Sequence, residues 1–137
     1  MAEIRINVLI KANPGKVYNA LSTEEGLASW WAKQTVAKPE VGFVNVFTFG
    51  KQFRNEMKVT NLTPNKRVEW KCINSIDEWI GTDISFDLEE KDGNTILRFA
   101  QSGWREVTDT FAGCTYDWAS FMKSLKLLCE TGTGTPS

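Results

Sequence analysis

The chain has 137 residues, which is enough for one domain with a substantial core and too few for two ordinary domains. Its 16 basic and 17 acidic side chains give a formal net charge of -1 and form no basic cluster, so we expect no nucleic-acid partner. No apolar run approaches the roughly 20 residues of a membrane helix, and residues 1–10 do not resemble a signal peptide, so we expect no membrane insertion.

The first elements are a strand and a short helix. Residues 3–11 read EIRINVLIK, in which apolar and polar side chains alternate as in a half-buried strand. Asn13 then suits the N-cap of a helix, and Pro14 suits its first turn. The sequence therefore predicts a strand followed directly by a helix.

A second short helix follows. Ser22 and Glu25 have the spacing of a capping box, which predicts a helix start at Ser22. Leu27, Trp30 and Trp31 then lie three and four residues apart, on one helix face.

The middle of the chain has the period of strands. From about Thr35 to Gln101, apolar and polar residues alternate between turn signals, of which Asp92-Gly93 is typical of a tight hairpin. Because the segments are short and their connections are short, they predict an antiparallel meander. The predicted strands are 43–49, 53–62, 67–73, 82–89 and 95–101.

The last element is a long helix. An apolar stripe continues on one helical face from Val107 to Cys129, Gly132 is a C-cap candidate, and 132–137 form a polar tail. The stripe needs a partner surface, and the sheet provides it. We therefore predict an α+β, helix-grip architecture over 1–137: a curved antiparallel sheet of about six to seven strands around the long helix.

The chemistry available to the chain is narrow. It has no histidine, which excludes Ser-His-Asp and Cys-His nucleophile arrangements and the usual histidine-bearing zinc sites. Cys72, Cys114 and Cys129 are widely spaced, as expected of free thiols in a reducing compartment, so we expect a cytoplasmic protein. No convincing pair of carboxylates for acid–base catalysis is present. We expect no catalytic residue, no metal and no cofactor.

Four segments carry a family resemblance. They are Ile4–Ile10 with Asn13-Pro14 and 17–21, Trp30-Trp31, the run 62–70, and Trp118 with 124–126 and 130–134. In this order and spacing the chain resembles the START-like (SRPBCC, helix-grip) superfamily. Within it, the chain resembles the activator-of-heat-shock-protein-90-ATPase homologue family.

The resemblance implies a shell with an apolar cavity under the long helix, in a superfamily whose members bind lipids, hormones or polyketides. The eukaryotic namesake stimulates a chaperone's ATPase and has an additional domain, for which we expect no counterpart in these 137 residues. Single-domain relatives share no catalytic motif.

The leading hypothesis is therefore a non-catalytic binding module for a small hydrophobic ligand, either lipid-like or aromatic. The residues predicted to bind it share apolar faces of the strands and helices. They are Trp30, Trp31, Phe47, Phe49, Met57, Trp70, Phe86, Thr95, Phe99, Gln101, Trp118, Phe121, Met122 and Leu125. The alternative for each ring is that it is simply core.

Five polar residues share strand faces with these rings, and a buried amide or hydroxyl needs a partner. They are Asn45, Asn55, Thr82, Thr95 and Gln101. They either lie inside, against a network, water or ligand, or lie in solvent at strand ends. If a bulge changes the parity, Glu56 and Arg98 turn inward instead.

Two other functions stay open. One is a protein-interaction domain that contacts a chaperone or another partner, and the other is a cofactor-free cyclase or hydrolase. A homodimer through an exposed strand edge is also compatible with the sequence.

Overall fold

The computed structural model describes residues 2–51 and 53–137. All seven strands of these residues form one antiparallel sheet in the order β1-β7-β6-β5-β4-β3-β2. The elements are β1 (Ala2–Ile10), α1 (Pro14–Ser22), α2 (Glu24–Trp30), β2 (Gln34–Val36), β3 (Val44–Phe49), β4 (Phe53–Thr63), β5 (Arg67–Asn74), β6 (Asp83–Lys91), β7 (Asn94–Trp104) and α3 (Asp109–Thr131).

This is the predicted α+β helix-grip architecture, in which the curved sheet holds the long C-terminal helix α3. The sequence predicted every strand except β2, a three-residue segment that pairs with β3. The core lies between the inner face of the sheet and α3 with α1 and α2. None of the helices in the described residues is both long and apolar enough to span a bilayer.

The helix caps explain where α1, α2 and α3 begin and end. The Asn13 side chain accepts a hydrogen bond from the Lys16 backbone N–H, which caps α1 as predicted. The predicted start of α2 at Ser22 is wrong by one residue: Thr23 is the N-cap, and its hydroxyl oxygen accepts from the Gly26 N–H at 3.0 Å. Ser22 instead ends α1 and donates its hydroxyl to the Tyr18 carbonyl at 2.8 Å.

The sheet brings together distant parts of the chain. β6 and β7 join through the predicted hairpin turn, where Asp92 and Gly93 both have positive φ. β1 lies on the outside of β7, and α3 covers the end of its free edge. There the Lys126 ammonium donates to the Leu9 carbonyl at 2.5 Å, and the Glu130 carboxylate accepts from the Lys11 N–H at 2.7 Å.

The five polar residues on the ring-bearing faces are all buried. Their partners are protein groups: the Thr95 hydroxyl donates to the Ala12 carbonyl at 2.8 Å, and Asn45 Oδ1 accepts from the Lys38 N–H at 3.3 Å. Glu56 and Arg98 are partly exposed and bond to Asn74 and Glu89, so the bulges in β4 do not turn Glu56 inward. The inward orientation predicted from strand alternation is therefore correct for all five residues.

The residues after α3, 132–137, pack back against α3 and the segment that follows α2. Gly132 takes the left-handed conformation (φ 90°) expected of a C-cap and turns the chain back on the helix. The Thr135 N–H then donates to the Ser124 hydroxyl oxygen at 2.8 Å, and Ser137 bonds to the segment after α2.

Candidate functional site

A continuous cluster of aromatic rings joins the sheet to α3, and Trp31 is at its centre. The Trp31 ring lies 4.5 Å from Phe47, 5.3 Å from Trp118 and 5.4 Å from Phe49, centroid to centroid. It is also stacked against Trp70 at 5.9 Å. Rings at these separations attract through their edges and faces beyond simple area burial. Aromatic contacts through Trp31 therefore join the inner face of the sheet to α3.

A pocket of about 200 Å³ opens at one end of this cluster. It lies between the first half of α3, the adjacent ends of β3 and β4, and the β5–β6 loop 75–82. Five of the ten lining residues are aromatic, and three carry polar or charged side chains. The lining residues are Trp31, Phe49, Phe53, Asn55, Ser75, Ile76, Trp79, Cys114, Asp117 and Phe121.

The structure places three of the fourteen residues predicted to bind ligand at this pocket: Trp31, Phe49 and Phe121. The other eleven are buried elsewhere in the core and do not line it. A role in ligand binding stays a prediction for all fourteen. The eleven are Trp30, Phe47, Met57, Trp70, Phe86, Thr95, Phe99, Gln101, Trp118, Met122 and Leu125.

Gln101 illustrates why a buried polar residue need not serve a ligand. Its Oε1 accepts from the Trp118 indole N–H at 2.8 Å, and its Nε2 donates to the Thr82 hydroxyl at 3.0 Å. The Thr82 hydroxyl in turn donates to the Trp79 carbonyl at 2.7 Å. The amide is thus used inside the protein, where it links α3 and β7 to the pocket loop.

Six lining residues have no signal in the sequence patterns described above, and the β5–β6 loop supplies three of them. Ser75 and Ile76 lie within residues 74–77, which the sequence predicts to be a turn, and Trp79 follows that turn; turns are normally polar. Ile76, Trp79 and Ile80 together are unusually apolar for a surface connection, and that was the available signal. The remaining three are Phe53, Cys114 and Asp117, whereas Asn55 lines the pocket as one of the predicted inward polar residues.

Hydrogen bonds hold the loop against the pocket walls. The Ser75 hydroxyl donates to Asn55 Oδ1, and the Trp79 indole N–H donates to Cys114 Sγ at 3.4 Å. The Trp79 ring is also stacked on Trp118 at 5.6 Å. Trp79 is therefore a structural part of the wall, and only 6% of its surface is exposed.

The ionisable groups of the pocket give it little reactivity. Burial raises the pKa of the Cys114 thiol above its ordinary value, although the hydrogen bond from Trp79 opposes this shift. Asp117 is exposed at the rim. Within residues 2–51 and 53–137, no group of three or more acidic or cysteine side chains is arranged to hold a metal ion.

A family model matches this chain over residues 11–130, and its description is "Activator of Hsp90 ATPase homolog 1-like protein". The match covers both short helices, most of the sheet and nearly all of α3. The chain belongs to this family.

Solved structures agree with membership of the Hsp90 ATPase activator homologue family. The solution structure of the Aha1 dimer from Colwellia psychrerythraea has 41% sequence identity and a TM-score of 0.89, and the match covers 98% of this chain and 100% of that one. No curated protein matches significantly.

Two more distant structures show the shared fold alone. A Mesorhizobium loti protein matches at 22% identity and a TM-score of 0.82, covering 93% of this chain and 96% of that one. A putative protein of the dynemicin biosynthetic locus matches at 20% identity and a TM-score of 0.80, covering 96% of this chain and 48% of that one.

Proposed function

We propose that this family member binds a small, flat aromatic molecule in the pocket beside Trp31. The observation that carries the proposal is a space of about 200 Å³ in which five of the ten lining residues are aromatic. In another protein, an apolar cavity of about 150 Å³ binds benzene, whereas drug-sized ligands occupy roughly 300–1,000 Å³. The size therefore favours a ligand of one ring or two fused rings over a long acyl chain.

The polar groups of the walls suggest that the ligand has a hydrogen-bond acceptor. Trp31 Nε1 is buried and has no hydrogen-bond partner within the described part of the chain. A buried donor without a partner costs about 1–3 kcal/mol, which an acceptor on the ligand would recover. Because the nitrogen has almost no exposed surface, a ligand would need to displace neighbouring atoms slightly to reach it.

Binding is favoured over catalysis by the same lining. General acid–base catalysis needs an ionisable group whose pKa is near the working pH. Here the thiol of Cys114 is kept protonated by a raised pKa, and Asp117 lies exposed at the rim. These groups support a pocket that holds a molecule without transforming it.

The direct test is calorimetric titration with naphthalene, quinoline and dodecanoate. Naphthalene and quinoline have the same shape, but only quinoline has an acceptor nitrogen. For about ten non-hydrogen atoms we expect a Kd on the order of 10–100 µM. Quinoline should bind more tightly than naphthalene, and dodecanoate should bind weakly. Failure of both aromatics to bind would overturn the proposal.

A matched pair of variants locates the binding site. Ile76 lines the pocket, whereas Ile80 is on the same loop, is exposed and does not line it. Ile76→Trp should fill the space and reduce quinoline affinity at least tenfold, and Ile80→Trp should not. Circular dichroism would verify that both variants fold. Equal affinities for the two folded variants would place the ligand elsewhere.

A second candidate function, protein association, is supported by the relatives. The 41% identical Colwellia protein is described as a dimer, and the family description names an activator of the Hsp90 ATPase. For this chain we propose a homodimer as an accompanying state, tested by light scattering during size-exclusion chromatography. Contact with an Hsp90-type chaperone is tested by the chaperone's ATPase rate with and without this protein.

A reducing compartment such as the cytoplasm suits the three buried free thiols, which are Cys72, Cys114 and Cys129.

A further inference from the structure

We infer that residues 133–137 form a strap that positions Trp31 and thereby sets the affinity of the pocket. The positioning of Trp31 by the strap concerns the fold alone. The effect of the strap on affinity rests on the proposed function, because it concerns the binding of an aromatic ligand.

The strap begins where α3 ends and lies back along the helix. Gly132 reverses the direction of the chain, and the Thr135 N–H reaches the Ser124 hydroxyl, 11 residues earlier in the sequence. The same hydroxyl donates to the Trp30 carbonyl at 2.7 Å. Ser124 is only 2% exposed, so this hydroxyl joins α3, the strap and the end of α2 inside the protein.

The strap also completes the C-terminus of α2. A helix leaves its last carbonyl groups without intrahelical partners, and these need donors from elsewhere. The Trp30 carbonyl receives the Ser124 hydroxyl, and the Trp31 carbonyl receives the Ser137 N–H at 2.9 Å. The Lys33 N–H donates to the Ser137 carbonyl, also at 2.9 Å, so the strap holds the backbone on both sides of Trp31 and Ala32.

The fit at Gly134 leaves no room for a side chain. A Cβ there would lie 2.5 Å from the Ser29 carbonyl oxygen and 3.0 Å from the Ser124 carbonyl oxygen. Both are backbone atoms within helices and cannot move aside easily. The glycine is therefore needed for the close approach of the strap to α2 and α3.

These contacts act on the pocket because Trp31 is both the residue that is held and a pocket wall. Its ring touches both the sheet and α3, so a backbone displacement at Trp31 would move the wall. Holding the backbone before the ligand arrives reduces the ordering cost of binding. Gly134 and Ser124 are thus positioning residues, which act on the ligand through Trp31.

The test compares two pairs of full-length variants. Gly134→Ala should expel the strap, whereas Gly113→Ala should not, because a Cβ at Gly113 would meet nothing within 4 Å. Ser124→Ala removes the bridging hydroxyl, and Ser120→Ala is its control on an exposed position of the same helix. Calorimetry with quinoline and two-dimensional ¹⁵N–¹H NMR are recorded for each variant.

For Gly134→Ala and Ser124→Ala we expect three changes relative to their controls. The backbone amide of Lys33 exchanges with solvent at least tenfold faster, because its acceptor on Ser137 is released. The indole N–H peak of Trp31, identified by its loss in Trp31→Phe, shifts. The Kd for quinoline rises at least fivefold, while the circular dichroism spectrum is unchanged.

The possible outcomes distinguish the positioning of Trp31 by the strap from its effect on ligand affinity. Slow exchange at Lys33 in both variants would refute the strap. Fast exchange with an unchanged Trp31 peak and an unchanged Kd would refute the positioning role. If wild-type protein binds no aromatic probe, the proposed function fails and with it the claim about affinity, but the exchange rate and the Trp31 peak still decide whether the strap positions the ring.

Discussion

The buried hydrogen bonds that Gln101 makes to Trp118 and Thr82, here called the Gln101 relay, allow a quantitative prediction for Gln101→Leu. The amide accepts from the Trp118 indole N–H at 2.8 Å and donates to the Thr82 hydroxyl at 3.0 Å, in a place with no exposed surface. Leucine leaves the Trp118 N–H buried without a partner, which costs about 1–3 kcal/mol. The Thr82 hydroxyl keeps its acceptor on Trp79, so its loss is smaller.

We therefore expect Gln101→Leu to reduce the free energy of unfolding by about 2 kcal/mol. With an unfolding entropy of about 2.1 cal/mol/K per residue, this corresponds to a fall in Tm of about 7 °C for a chain of 137 residues. Urea unfolding measures the change, provided that the m value is unaltered. Gln34→Leu, at an exposed position of β2, is the matched control and should change stability by less than about 0.5 kcal/mol.

A double-mutant cycle with Trp118→Phe tests the mechanism. In that background no indole N–H remains to lose its partner, so Gln101→Leu should cost at least about 1 kcal/mol less than it does in the wild type. An equal cost in both backgrounds would show that the amide does not act through Trp118. A Gln101→Leu protein as stable as the wild type would refute the whole account of the relay.

Two further predictions concern ionisable groups. The Lys11 N–H and then Lys126 lower the pKa of Glu130 below its ordinary value, so the carboxylate stabilises the folded protein above that value and loses this effect as the pH falls through its folded pKa. Glu130→Gln should therefore be less stable than the wild type at pH 7, and urea midpoints should converge in acid; a difference independent of pH would contradict the assignment. Burial raises the pKa of Cys72 to about 11, so its alkylation by iodoacetamide at pH 8 should be much slower than that of a free thiol. Cys114 lines the pocket and should be alkylated first, with protection by quinoline; peptide mass spectrometry that finds Cys72 modified first would disprove this order.

The sequence predicted the regular elements because each has a strong period or a cap. The alternation in residues 3–11 corresponds to β1, and Asn13 with Pro14 begins α1. β2 has only three residues, too few to show a period, and its pairing with β3 defines it. Tertiary pairing of this kind cannot be derived from the segment itself.

The pocket was harder to predict for a physical reason. Strand parity correctly indicated which side chains face inward, including Gln101 and Thr95. It does not indicate where packing is incomplete, because that depends on how rings from separate elements fit together. The remaining space is bounded by Trp79, which belongs to neither a strand nor a helix and so had no period from which its direction could be inferred.

The order of strands in the sheet has a consequence for how the chain folds during synthesis. Strands β2 to β6 each pair with the next strand along the chain, so most of the sheet can form progressively as residues emerge. β1 is the exception, because Ile10 pairs with Thr95 and Ala2 lies opposite Trp104. β1 stays unpaired until β7, the last strand, has been made, and such non-local closure is slow. Among the strands, β1 therefore spends the longest time without its partner, with its apolar residues open to aggregation.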